Sequence, residues 1–140
     1  MSREEEVKEL VRAFLEALCR HDLAGLEETF LHDDTVLFYG TQSNLHFLGW
    51  PAVREAFRKQ VELLSGIRTW IDPETLVIRV SPEGDAACIA SPSMAFFAKA
   101  GDLELGTKEM RITAVAERRD GRFRFVQLHL SMFLQDVYVK

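Results

Sequence analysis

The stretch RITAVAERRDGRFRFVQLHLSM, Arg111 to Met132, decides the fold. Two alternating runs flank Asp120-Gly121, a dipeptide that supplies the positive φ values a two-residue hairpin turn demands. Before the turn, Ile112, Ala114 and Ala116 alternate with Arg111, Thr113 and Glu117. After it, Val126, Leu128, Leu130 and Met132 alternate with Gln127, His129 and Ser131. A period of two marks a half-buried strand, so the apolar set meets a core and the mixed set faces outward.

Working outward, further turn signals stand at Ser81-Pro82-Glu83-Gly84 and Ala100-Gly101-Asp102. They cut the second half of the chain into strands over roughly 68–80, 85–99, 103–119 and 122–134. These are much longer than a typical strand of about 5–6 residues, so the sheet must twist and curl. Pro92 and Gly106 are the positions where bulges would bend it. Upstream of Ile67 the period is helical. Val7, Leu10, Val11, Phe14, Leu15 and Leu18 form one stripe, opened by a Ser2/Glu5 capping box. Asp22 caps a second, short helix carrying Leu23, Leu26 and Phe30. A third begins at Trp50-Pro51, carries Val53, Phe57, Val61 and Leu64, and ends at Ser65-Gly66. A short strand, Thr35 to Tyr39, precedes it. Helices followed by a meander of long strands predict an α+β fold, a curved, mostly antiparallel sheet wrapped on a helical layer.

At 140 residues, with 47% hydrophobic and 28% charged side chains, the chain reads as a single globular domain over 1–140. A formal charge of −5 speaks against binding nucleic acid or an anionic membrane, which need a basic surface. The acidic N-terminus, Met1-Ser2-Arg3-Glu4-Glu5-Glu6, is unlike a signal peptide, and a cytoplasmic protein is the expectation. Cys19 and Cys88 read as two buried thiols or as one disulfide. The outward row Arg111, Thr113, His129 and Ser131 suits a symmetric homodimer contact, where each group meets a partner across the axis.

The order of elements, the segment Gly49-Trp50-Pro51-Ala52-Val53-Arg54 and the ending from Arg118 through Ser131 resemble the SnoaL-like branch of the nuclear transport factor two-like superfamily. The ending is most similar to the association domain of calcium/calmodulin-dependent protein kinase II. The resemblance implies a cone-shaped, cystatin-like α+β barrel with a pocket between sheet and helices, and dimerisation through the sheet's outer face. In the kinase domain arginines line that pocket and bind carboxylates. The matching positions here are Ser93, Ala114 and Leu130, none cationic. The implied pocket, with Ile89, Ser91, Ser93, Phe97, Ala114 and Leu130 on its walls, suits a small neutral or partly aromatic ligand. Trp50 falls at the implied pocket mouth, and Phe57 is either a wall or plain core.

Members of this superfamily include isomerases, dehydratases and cyclases as well as non-catalytic binding modules. Proton abstraction beside a carbonyl needs a base of tuned pKa and a donor for the oxyanion. Tyr39 is the candidate donor. Asp33, Asp34, His46 and Asp72 are the candidate bases, and each also has a plainer reading as a helix end, a loop or a turn. The histidines are dispersed, with no HExxH spacing, and the phosphate-cradling glycine motifs are absent from the sequence. Neither a metal nor an organic cofactor is expected. The expectation is therefore a ligand-binding module with a mostly apolar pocket, or alternatively a cofactor-independent isomerase, dehydratase or cyclase.

Overall fold

A computed structural model describes residues 1–132. Three helices come first: α1 (Arg3–Cys19), α2 (Leu23–Glu28) and α3 (Trp50–Leu63). Between α2 and α3 lie two short strands, β1 (Leu37–Tyr39) and β2 (His46–Leu48). After α3 come β3 (Ser65–Ile71), β4 (Val77–Val80), β5 (Ala86–Ala100), β6 (Leu103–Arg119) and β7 (Arg122–Met132).

Local chemistry explains the helix starts. Glu5 N donates to Ser2 Oγ at 3.1 Å, which is half of the expected capping box. Gly25 N donates to Asp22 Oδ1 at 2.9 Å, and Pro51 occupies the first turn of α3. At the hairpin, Asp120 and Gly121 take φ of 53° and 79°, as the Asp-Gly signal requires.

The strands form one open, curved sheet in the order β2-β1-β7-β6-β5-β3, with β4 also pairing β5. Pairing is antiparallel except where β1 runs parallel to β7. The helices cover the inner face. Ile78, Ile89, Ala114, Leu128, Phe38 and Phe47 stand opposite one another along a single rung of that face. Against it Phe14 of α1 meets Phe125, Phe57 and Phe30, with ring centroids 5.5, 6.1 and 6.2 Å apart. Truncating a buried phenylalanine of this kind costs about 3–5 kcal/mol, so this cluster anchors helices to sheet.

The structure corrects the sequence reading at several points. The single strand expected over 68–80 is two, β3 and β4, separated by a turn at Asp72–Thr75 in which Thr75 N donates to Asp72 O. His46 is in strand β2, not a loop. A bulge between Val115 and Ala116 of β6 and their β7 partners changes the parity of β7. Phe125 and Phe123 thereby take the inner face and are buried, while Val126, the extra residue, is only half-buried against the core, against the simple alternation. Pro92 does sit at a bulge, between Ser91 and Met94. Gly106 pairs in register with Phe97, and its role is close approach: a Cβ there would lie 2.2 Å from Phe97 Cδ1. Both cysteines are exposed free thiols rather than buried or bridged, and Cys88 faces outward beside Arg79 and Val115. The last two residues of the expected strand 122–134 lie outside the described residues.

Candidate functional site

The residues anticipated for a pocket wall fall on the inner face, on adjacent strands. Ser91, Ile112 and Leu130 share one rung, next to the rung that carries Ile89, Ala114 and Leu128. Ala114 is buried and Leu130 is half-buried, packed against the core. Phe57 projects from α3 onto this surface and is buried, with its ring 4.9 Å from that of Phe38. Ser91 is one of three buried polar residues among those described; its hydroxyl lies 2.8 Å from Thr75 Oγ1 and accepts from Ser93 N at 3.0 Å. Ser93 itself stands in the Pro92 bulge, half-buried, its carbonyl accepting from Asp72 N at 3.1 Å.

Two of the anticipated pocket residues point the other way. Tyr39 is 45% exposed on the outer face, its ring 5.8 Å from the His129 ring. It therefore cannot donate to an oxyanion on the inner wall. Phe97 also faces outward, stacked 5.9 Å from Trp70 with the Arg68 guanidinium 5.4 Å from its centroid. The cause is again register: residues paired directly across strands share a face, and Tyr39 pairs with His129 while Phe97 pairs with Arg68. Trp50 opens α3 half-buried, stacked on His32 at 4.1 Å and on Phe30 at 6.2 Å. Nothing in the sequence spacing marks His32 as its partner. His32 reaches Trp50 because its Nε2 is held 2.8 Å from the Glu27 carbonyl at the end of α2.

No candidate base lies on the inner wall. Asp33 accepts from Thr35 N and Thr35 Oγ1 at 2.9 and 2.8 Å and sits 3.2 Å from Arg119. Those hydrogen bonds, with the nearby guanidinium, hold its carboxyl below the usual range, the reverse of what a general base at neutral pH needs. Asp34 is exposed, and His46 is exposed at the outer-face position opposite Tyr39. Asp72 caps its turn, accepting from Glu74 N at 3.0 Å. Among the described residues there is no cluster of three His, Cys, Asp or Glu side chains able to hold a metal ion. None of the described helices is long and apolar enough to cross a membrane.

A groove of about 620 Å³ runs along the helical flank instead, between Ala13 and Ala17 of α1, Gly25 of α2 and Phe123 of β7. It shares no residue with the anticipated pocket. Of its rim acids, Glu9 and Glu16 are both tied to Arg12 and Glu28 to Arg122.

A curved sheet closed on one side by three helices, with an apolar inner wall, defines the nuclear transport factor two-like class of α+β domains. Solved structures agree. A nuclear transport factor 2-like superfamily protein from Salmonella enterica superposes with a TM-score of 0.82 at 18% identity, over 99% of this chain and 96% of that one. A candidate dehydratase of the same family from Streptomyces avermitilis gives 0.80 at 19% identity, over 93% and 95%. A candidate calcium/calmodulin-dependent protein kinase II association domain from Xanthomonas campestris gives 0.75 at 19%, over 93% and 87%. Within that class the chain belongs to the SnoaL-like domain family, whose sequence profile matches residues 7–135. No curated protein matches it in sequence.

Proposed function

We propose that this SnoaL-like domain is a non-catalytic binding module for a small neutral, partly aromatic molecule. One observation carries the reading: the buried polar residues among those described are Thr29, Thr69 and Ser91, and none is ionisable. Their hydroxyls are already engaged, Thr29 Oγ1 donating to Leu26 O at 2.6 Å and Thr69 Oγ1 to Ala95 O at 2.7 Å. A carboxylate ligand would enter without a cation and lose several kcal/mol to desolvation. An apolar one gains roughly 25 cal/mol per Å² removed from water. Among the described residues, proton-transfer chemistry of the isomerase or dehydratase kind finds no base on that wall. The half-buried apolar residues Phe47, Trp50, Val61, Phe96 and Leu130 are the parts of the inner layer that a ligand would meet first.

Thermal-shift screening tests this, since a ligand that binds the folded state alone must stabilise it. Neutral aromatics should raise the melting temperature and short-chain carboxylates should not. Leu130→Arg, at a half-buried position, should reverse that preference. Stabilisation of the wild type by carboxylates over neutral aromatics would overturn the proposal.

The same reading includes a homodimer through the outer row Arg111, Thr113, His129 and Ser131. Register supports it: Arg111 pairs with Ser131 and Thr113 with His129, with Ala90, Val115 and Gln127 beside them and the exposed Glu109 two residues before Arg111.

A further inference from the structure

Two of the four histidines stand on one rung of the sheet's outer face. His46 of β2 pairs with Tyr39 of β1, Tyr39 with His129 of β7, and His129 with Thr113 of β6. The other two are elsewhere: His21 follows α1, and His32 is stacked on Trp50. His46 and His129 are both exposed, and the Tyr39 ring stands edge-on to that of His129 at 5.8 Å. An imidazole changes its charge between about pH 5 and pH 8, so this rung can alter the outer face under mild conditions.

The neighbours of His129 decide what that charge does. Beside it on the same face stand Thr113, Tyr39, Gln127 and Ser131, all uncharged. Arg111 is its diagonal neighbour on β6, a separation of about 7–8 Å. Carboxylates lie towards the ends of the row: Glu109 is exposed two residues before Arg111, and Glu117, opposite Arg124, is bound by Arg119. Among the described residues, the charged group nearest His129 in register is thus a cation. We infer that His129 makes the homodimer acid-sensitive: the contact forms with neutral imidazoles and loosens as they are protonated. The inference rests on the homodimer reading above. A two-fold contact brings the same row from both copies together, so each protonation happens twice. In a contact that already holds both Arg111 guanidiniums, an imidazolium loses water and gains like charge. The sign follows from linkage. A contact that favours neutral His129 binds fewer protons than two separate copies, so association is full at alkaline pH and weakens as pH falls through the imidazole range. Each such site weakens the dimer by at most about tenfold per pH unit.

Sedimentation of the wild-type chain at about pH 8 and about pH 6 tests this, with circular dichroism to follow the fold. The dissociation constant of the dimer should rise about tenfold at the lower pH. Sodium chloride at about 0.5 M should recover part of that loss, because the repulsion is screened. Proton NMR of the imidazole C–H signals then identifies the group. The His129 signal is assigned by its absence from His129→Gln, which serves that purpose whether or not the variant dimerises. Its titration midpoint should fall as the wild type is concentrated from about 20 μM to about 1 mM, because the dimer resists protonation. The His46 midpoint, one strand further from Arg111, should move less. A dimer equally tight at both pH values overturns the inference and leaves the homodimer standing. A dimer tighter at the lower pH, as Glu109 of the second copy facing His129 would make it, does the same. So does a His129 midpoint that is independent of concentration. A wild type that is monomeric at both pH values removes the homodimer reading, and this inference with it.

Discussion

Gly106 shows how much one missing atom can hold in place. A Cβ would stand 2.2 Å from Phe97 Cδ1, so any side chain here makes the ring swing away from the sheet. Phe97 is stacked on Trp70 and faced by Arg68, so all three lose their contacts together. Gly106→Ala should lower stability by about 1 kcal/mol and shift the fluorescence of Trp70, which is 46% exposed. An unchanged spectrum would mean that the stack does not depend on the glycine. Asp33 gives a pH dependence with a definite sign. Its folded carboxyl titrates below the ordinary range, so its stabilising effect is present above the unfolded pKa and lost as pH falls through the folded one. Asp33→Asn should therefore destabilise the protein at about pH 6 and bring it level with the wild type by about pH 2, as read by urea unfolding. The thiols offer a simpler measurement: with Cys19 and Cys88 both exposed, a thiol reagent should label both without denaturant.

At the scale of elements, what was legible was whatever a local period or a single dipeptide encodes. The α1 stripe, the proline at the start of α3 and the Asp120-Gly121 hairpin all stand where the sequence places them. What was not legible depends on counting residues across strands. The bulge at Val115/Ala116 reverses the parity of β7, and no residue type announces it, so Phe125 is in the core where alternation puts Val126. Tyr39 and Phe97 were misplaced for the same reason, because a strand's facing is known only once its partner and register are known. Ala114, Leu130, Ser91 and Phe57 lie on the inner layer, as the resemblance implied for the first three, but whether that layer opens to a ligand is the matter of the thermal-shift test. Capping gives a prediction at this level. Ser2→Ala removes the acceptor for Glu5 N and should cost about 1 kcal/mol of stability, with α1 fraying first in hydrogen exchange.

For the whole molecule, the proposed dimer follows from the outer face. Arg111→Glu should reduce the mass measured by sedimentation from two copies to one, and a wild type that is monomeric at high concentration would remove that reading. The parallel bridge between Phe30 and Phe125 has a consequence of a different kind. Phe125 N donates to Thr29 O at 2.7 Å and Leu31 N to Phe125 O at 3.0 Å, so the segment after α2 is secured by the last strand described. The helices leave the ribosome first, and at roughly 5–20 residues per second they wait several seconds for that strand. During that interval Phe14, Phe30 and Phe57 have no sheet to pack on, because Phe125 and Leu128 have yet to be made. During vectorial synthesis those rings therefore stay without their β7 partners until that strand emerges.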